Sequence, residues 1–224
     1  KVQIKPKFDL LNFPIAIAAN ESVVSGNSAV SDKVTVSSGT TPRDLRMPAQ
    51  LSRRFSFEPS GVIYLEDVKK FLLVSDDTDK QNTATLFLVD RDGNVEDQSL
   101  LVPGMGEISD LESISQSGGY VYMMTSQGLT KKGKDKAERN LFARARRSGL
   151  DLADTQSVDF KPLLLKALKN SKDAKLRAVM KTIQAGDIEI ESHFVDGTEL
   201  TIAFKQPLSA AGESLMITIQ DVDS

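Results

Sequence analysis

The sequence predicts an all-β, β-propeller-like protein, because strand-like runs recur in groups of four and strong turn signals separate them. The first group shows the pattern most clearly, with β-branched and aromatic runs joined by polar turns, one of which contains Asp92-Gly93. Its four runs lie at 61–65, 71–74, 84–89 and 95–102. Four consecutive antiparallel strands of this kind form a meander, which is the unit of a propeller blade.

The same order of strands and turns returns twice more along the chain. We expect blades at about 55–104, 107–159 and 187–224, which together form a propeller-like domain over 55–224. Three blades cannot close a ring, since propellers contain about four to eight. Three explanations stay open: residues 1–54 form a degenerate blade that closes the ring, the chain is a fragment, or the sheets remain open.

The first 54 residues are otherwise predicted to be a strand and linker region. Three lysines precede an apolar stretch at 10–19, as in a signal peptide, but polar residues and Pro14 interrupt that stretch and favour an edge strand and loop. The following segment, 20–41, is rich in Ser, Gly, Val and Thr, which suits a surface β ribbon or a linker.

A short helical insertion is predicted over 160–184, where leucines and other apolar residues recur at helical spacing. Asn170 and Ser171 divide it into two helices, and Ser171 is a candidate cap. Two roles stay open for this insertion. It is either a lid over the propeller mouth or a cover for an exposed sheet edge.

The composition excludes several kinds of protein and of site. Hydrophobic residues (40%) and charged residues (26%) occur at the levels of a soluble globular protein, and no apolar run is long enough for a transmembrane segment. A net charge of -3 with both signs interspersed gives no overall field for nucleic acid or an anionic membrane. Zn²⁺ is disfavoured because there is no cysteine and His193 is the only histidine.

Each predicted blade opens with a phrase that contains a glutamate, namely Glu58, Glu112 and Glu191. The first strand of a blade lies nearest the axis, so we expect these carboxylates to converge at the channel mouth. Like charges in a partly buried site raise one another's pKa values unless a cation, a basic side chain or a shared proton offsets them. Ca²⁺ fits such a site best, with Asp76, Asp77 and Asp110 as further candidate ligands. The alternative is that each glutamate only accepts hydrogen bonds from nearby backbone.

A basic loop in the second unit is a candidate anion or ligand site. Lys132, Lys134 and Arg139 suit phosphoryl oxygens, and a guanidinium can bind two oxygens at once. The alternative is a solvated, flexible loop. No nucleophile elbow and no glycine-rich phosphate loop accompanies these residues, and aromatic residues (6%) are too few and too scattered to indicate nucleic-acid binding.

A set of short phrases carries a resemblance to a known family. They are Glu58-Pro59-Ser60-Gly61-Val62 with Ser75-Asp76-Asp77, Ser109-Asp110-Leu111-Glu112-Ser113-Ile114, Lys132-Gly133-Lys134 with Glu138-Arg139-Asn140, and Ile190-Glu191 followed by Asp196-Gly197 and Pro207-Leu208. Over about 55–221 the chain resembles a group of largely uncharacterised bacterial propellers of the phytase-like, or esterase-like, type. The resemblance implies a propeller fold, a glutamate-lined mouth and export to the periplasm or the medium. Where the family tends to have Ser-His, this chain has Ser126-Gln127, so Gln127 joins the candidate ligand-binding residues.

Two functions follow from these expectations. The first is an exported, non-catalytic propeller domain whose mouth binds a cation, a small-molecule or anionic ligand, or a protein, or which serves only as a structural domain. The alternative is a Ca²⁺-assisted phosphoesterase or esterase of the phytase-like type. The missing imidazole favours the first function, and whether the protein is an enzyme stays open.

Overall fold

The computed structural model describes residues 17–18, 44–76, 79–185, 188–220 and 222. These residues form three four-stranded antiparallel sheets and a small number of helices. The first strand, β1 (Ile17–Ala18), belongs to the third sheet, and a one-turn helix, α1 (Ala49–Ser52), precedes the first sheet. The predictions for 20–41 and for Asp77 lie outside the described residues.

The first two sheets follow the chain as simple meanders. In the first sheet the strands are β2 (Pro59–Leu65), β3 (Lys70–Ser75), β4 (Thr85–Val89) and β5 (Leu100–Leu101). In the second sheet they are β6 (Leu111–Ser117), β7 (Tyr120–Thr125), β8 (Leu141–Ser148) and β9 (Asp151–Asp159). Strand β5 is shorter than the predicted run at 95–102, because Val95 forms only an isolated bridge with Val89.

The third sheet takes its edge strand from the other end of the chain. It contains β10 (Glu189–Asp196), β11 (Glu199–Leu208) and β12 (Ser214–Ile219). Strand β1 completes this sheet by pairing with β12, with Ile17 opposite Ile219. The N-terminal part of the chain therefore supplies the fourth strand of the last sheet.

The three sheets pack through their inner strands, with β6 between β2 and β10. Successive residues of a strand point to opposite faces, so one strand serves two interfaces. In β7, Val121 and Met123 join the core shared with the first sheet, whereas Tyr122 and Met124 join the core shared with the third. The second sheet is thus buried on both faces and holds the other two in place.

Gly61 allows β2 to lie close to β6. A Cβ at Gly61 would lie 3.1 Å from the Ser113 Cα, 3.1 Å from the Ile114 nitrogen and 3.0 Å from Val74 Cγ2. Two of these three atoms belong to the backbone of β6, which cannot rotate away. The bare Cα of Gly61 therefore sets the distance between the first and second sheets.

Two helices form a hairpin after β9: α2 (Phe160–Asn170) and α3 (Ala174–Ala185). Their apolar sides are buried in the core shared by the second and third sheets, through Phe160, Leu164, Leu168, Leu176, Met180 and Ile183. This packing agrees with the role of a cover for the sheets. The lid hypothesis gains no support, because the apolar side is already fully used.

The all-β class and the four-stranded antiparallel sheets are confirmed. A closed ring stays a prediction. No helix among the described residues has the length and apolarity required to cross a bilayer.

Candidate functional site

A chain of backbone hydrogen bonds links the three sheets at the end where the inner strands begin. The Asp76 N–H donates to the Glu58 carbonyl (3.2 Å), and the Asp110 N–H donates to the Asp76 carbonyl (3.1 Å). The Ser126 N–H then donates to the Asp110 carbonyl (2.9 Å), and the Ile190 N–H donates to the Ser126 carbonyl (2.7 Å). Asp110 adopts a positive φ of 64°, a conformation that Asp tolerates better than most residues. Acidic residues from two sheets are thereby held side by side.

Each inner strand contains one extra residue at this same end. In β6 Leu111 and Ser113 pair with consecutive residues of β7, which leaves Glu112 unpaired, and in β10 the same shift leaves Glu191 unpaired. In β2 the corresponding extra residue is Ser60. Glu112 and Glu191 are therefore equivalent in the fold, whereas Glu58 lies two positions earlier, at the level of Asp110.

Three carboxylates meet at this end of the sheets: those of Asp76, Asp110 and Glu112. One oxygen from each lies within 4.8 Å of the others. Glu112 is buried, and the two aspartates are half-buried. This acidic triad could hold a metal ion, and all of its side-chain donors are oxygens.

Glu112 shows the electrostatic cost of the arrangement. Burial, followed by the charges of Glu191, Asp110 and Asp76, raises the pKa of Glu112 to about 8. Lys205 acts in the opposite direction. At neutral pH, without a cation, Glu112 is thus mostly protonated, and a bound cation would favour its ionised form.

Arg139 neutralises part of the triad. Its Nη2 contacts Oδ2 of Asp110 and lies 3.3 Å from Ser126 Oγ, while its Nε donates to the Gly128 carbonyl at 2.9 Å. Gly128 leaves no space for a larger side chain, because a Cβ at this position would lie 3.2 Å from Glu189 Cγ. Arg139 was predicted to receive an anionic ligand, but in the structure its guanidinium already binds one carboxylate.

Glu191 has a basic partner of its own. The Lys205 ammonium donates to Glu191 Oε1 at 3.0 Å and lies 3.4 Å from Glu189 Oε2. These contacts, led by the one with Glu191, raise the pKa of Lys205. Glu191 thus affects Glu112 through its charge but lies outside the group of three close carboxylates.

A cleft of about 690 Å³ opens beside the triad. Glu58, Asp76 and Asp110 line it together with Lys131, Lys132, Lys134 and Arg139. Glu58 is exposed, and its backbone N–H donates to Ser75 Oγ at 3.0 Å. Acidic and basic candidates therefore share one cleft, but Glu112 and Glu191 are not among the residues that line it.

Asp79 also lines the cleft, but its carboxylate oxygens already accept hydrogen bonds from Arg54 and from the Thr83 backbone. Burial would raise its pKa, but hydrogen bonds from Thr83 and Arg54 outweigh burial and lower it. The Arg54 guanidinium lies 2.6 Å from Asp79 Oδ2, and the Thr83 N–H donates to Oδ1 at 2.9 Å. Asp79 is a structural carboxylate that anchors the loop before β4.

Gln127 is placed differently from the prediction. Its side chain is fully buried, and its amide nitrogen donates to the Thr125 carbonyl at 2.9 Å and to the Leu141 carbonyl at 3.2 Å. It does not line the cleft. Gln127 thus links the end of β7 to the start of β8.

His193 and Ser113 form a second polar pair, buried between β6 and β10. Ser113 Oγ lies 2.5 Å from His193 Nδ1, and the Phe142 ring meets the imidazole edge-on at 5.7 Å. Burial lowers the pKa of His193 to about 3, against a smaller opposing effect of the Tyr122 backbone. The imidazole is therefore neutral at physiological pH and is not part of the acidic triad.

Two polar residues of the site, Ser126 and Lys205, were not predicted. Ser126 carries the backbone link to β10, and Lys205 neutralises Glu191. Ser126 and Lys205 occupy equivalent positions in the second strands of their sheets. Each comes directly after the residue that pairs with the inner strand just before its extra residue, and in the first sheet this position is Asp76. The three positions could be aligned from the repeat, but their side chains share no chemistry.

The similarities to known proteins are structural. No protein-family model matches the chain, and no curated protein matches its sequence. Among solved structures, the chain is similar to the glutaminyl cyclase of Myxococcus xanthus, with a TM-score of 0.41 and 11% identity over 76% of this chain. The match spans 59% of the length of that structure.

Proposed function

We propose that this chain is a β-propeller-like protein that binds Ca²⁺ through Asp76, Asp110 and Glu112 and takes up a small anionic ligand in the adjoining cleft. The observation that carries the proposal is the burial of Glu112 beside two other carboxylates whose oxygens lie within 4.8 Å of one another. A divalent cation would offset this repulsion more completely than the single guanidinium of Arg139 does.

The donor set favours a hard cation. Ca²⁺ takes about six to eight oxygen ligands from carboxylates, backbone carbonyls and water, and the triad offers oxygens alone. A zinc site would require nitrogen or sulfur donors, but His193 is buried against Ser113 and the chain has no cysteine. Arg139 contacts only Oδ2 of Asp110, which leaves Oδ1 for a cation.

Calorimetric titration with CaCl₂ tests the cation site. Wild-type protein should bind one Ca²⁺ per chain, and Glu112→Gln or Asp110→Asn should weaken binding at least about tenfold. Glu66→Gln is the matched control, because Glu66 follows the far end of β2 and pairs with Lys69. Absence of Ca²⁺ binding to the wild type, or equal weakening by Glu66→Gln, would remove the proposal.

A second candidate function is a Ca²⁺-assisted phosphoesterase or esterase. The cleft favours it, since Lys132 and Lys134 line the same cavity as Asp76 and Asp110. A cation there would polarise an ester oxygen and lower the pKa of a bound water, while the lysines would attract the anionic group. A panel of aryl phosphates and carboxylic esters tests this function. Turnover that requires Ca²⁺ and falls in Lys132→Ala/Lys134→Ala supports it, and no turnover leaves the non-catalytic binding protein.

The family and the location belong to the same proposal. The phrases around Glu58, Glu112 and Glu191 support membership of the phytase-like, esterase-like propellers, and that resemblance in turn supports export. Fractionation of the source cells, with an antibody against this chain, tests the location. Protein in the periplasm or the medium is expected, and protein found only in the cytosol would contradict it.

A further inference from the structure

The helical hairpin formed by α2 and α3 (160–185) concentrates positive charge in a chain that is acidic elsewhere. It contains seven of the 28 basic residues of the chain and one of its 31 acidic residues, Asp173. The net charge of -3 therefore hides a strong local imbalance. The overall composition does not reveal the positive charge of the hairpin, because acidic residues outnumber basic residues in the rest of the chain.

Six of the seven basic residues of the hairpin are exposed on its solvent side. The apolar sides of both helices are buried in the core, so the remaining surface is polar. Lys166, Lys169, Lys172 and Lys181 are exposed, and among the described residues no carboxylate pairs with them. Lysines of the sheets, by contrast, have acidic partners in two cases, as Lys70 has in Glu96 and Lys205 has in Glu191.

Two other basic residues of the hairpin have structural roles. Lys161 is buried and lies 3.2 Å from Asp135 Oδ1. Arg177 donates to the backbone carbonyls of Ser171 at 3.0 Å and Lys172 at 2.6 Å, which fixes the turn between the helices. The side chains of the four exposed lysines do not take part in these contacts, so no structural role explains their number.

The type of these residues indicates the partner. Lysine is a hydrated point charge that suits a diffuse anionic surface, whereas duplex recognition relies on arginine and single-strand binding on aromatic stacking. The one aromatic residue of the hairpin, Phe160, is buried. Clusters of four to eight lysines and arginines on an amphipathic helix are typical of binding to anionic lipids.

We infer that the solvent side of the α2–α3 hairpin binds the surface of an anionic lipid bilayer. The binding is electrostatic and peripheral, because the apolar sides of the helices are held in the core and are not available for insertion. It therefore weakens as salt rises. The inference is independent of the cation site, since it uses no residue of the triad or the cleft.

Co-sedimentation with vesicles tests the inference. The wild type should bind vesicles that contain phosphatidylglycerol, should not bind pure phosphatidylcholine vesicles, and should be released by salt at about 0.5 M. The triple variant Lys166→Gln/Lys169→Gln/Lys172→Gln should weaken partitioning of the protein onto these vesicles by about a hundredfold. Each lysine near an anionic surface contributes about fivefold, and the three factors multiply. Arg53→Gln/Lys69→Gln/Lys80→Gln, which neutralises three exposed basic residues outside the hairpin and the cleft, is the matched control and should bind like the wild type.

Three outcomes would overturn the inference: equal binding to both kinds of vesicle, an equal loss in the control variant, or binding to duplex DNA with none to vesicles. A second measurement does not depend on the triple variant folding. Because the chain has no cysteine, Asn170→Cys and Ser117→Cys each give a single labelling site. Energy transfer to a bilayer dye should be stronger from position 170 than from position 117, and the reverse order would contradict the proposed orientation.

Discussion

Glu112 and Glu191 occupy the same extra-residue position in the neighbouring inner strands β6 and β10, and the charge of Glu191 contributes to raising the pKa of Glu112 to about 8. Their surroundings differ, however. Glu191 is half-exposed beside Lys205, whereas Glu112 is buried beside Asp76 and Asp110. The same position in two strands therefore holds a glutamate that is paired with a lysine and a glutamate whose pKa is raised by burial and neighbouring carboxylates.

The first prediction concerns the stability of Glu112→Gln as a function of pH. The pKa of Glu112 is higher in the folded state than in the unfolded state, so wild-type stability falls as pH rises from about 4.5 to about 8. Glutamine removes this loss. In EDTA the melting temperature of the variant should equal that of the wild type near pH 4.5 and exceed it by at least about 3 °C at pH 8.5.

Adding Ca²⁺ at pH 8.5 should reverse this order, because only the wild type retains the full triad. Glu66→Gln serves as the control and should follow the wild type at every pH. A constant difference between Glu112→Gln and the wild type across the pH range would show that Glu112 is not the group that titrates.

The second prediction concerns Arg139. Replacing it by Gln removes the cation beside Asp110 and leaves the Gly128 carbonyl without its donor, so the calcium-free protein should lose about 1–3 kcal/mol of unfolding free energy. Arg139→Lys should recover only part of the loss, because one ammonium cannot reproduce the geometry of both contacts. Urea unfolding with and without Ca²⁺ measures the effect. If Arg139→Gln were as stable as the wild type without Ca²⁺, the guanidinium would not be offsetting the triad.

The third prediction concerns His193, the only histidine of the chain. Burial lowers its pKa to about 3, so its NMR ring signals should not titrate between pH 8 and pH 5. Because the unfolded chain takes up the proton near pH 6.5, wild-type stability should fall below that pH more steeply than the stability of His193→Gln. A titration midpoint near pH 6.5 in the folded protein would contradict the buried, neutral imidazole.

The fourth prediction concerns the spacing of the sheets. Gly61→Ala places a Cβ about 3.1 Å from backbone atoms of β6, so the protein should lose about 1–3 kcal/mol of stability, measured by urea unfolding. Val62→Ala is the matched control on the same strand, since the Val62 side chain is 58% exposed. An equal, small effect of both substitutions would show that β2 can move away from β6 without cost.

Much of the fold could be predicted because its signals are local. The turn at Asp92-Gly93 and the runs of β3 and β4 identify strands through their own residue types. The helical spacing of Leu164, Leu168 and Leu176 likewise identified the hairpin that covers the core. Closure of a ring is different, because it depends on contacts between distant parts of the chain.

The site could be predicted only in part, because it depends on register. Aligning glutamates by their place in each phrase put Glu58 with Glu112, but the pairing of β2 places Ser60 there instead. Asp76 and Asp110 become neighbours through the link from the Asp110 N–H to the Asp76 carbonyl, which no spacing in the sequence indicates. The basic loop could be identified from its composition. The contact between Arg139 and Asp110 could not, because it depends on how the fold brings the two residues together.

Diffraction from crystals soaked in TbCl₃, which mimics Ca²⁺ and scatters anomalously, tests the central claim most directly. We expect one strong anomalous peak within bonding distance of carboxylate oxygens of Asp76, Asp110 and Glu112, and its loss in crystals of Glu112→Gln. An empty triad with Tb³⁺ bound only elsewhere, for example at exposed carboxylates, would contradict the assignment of a cation site.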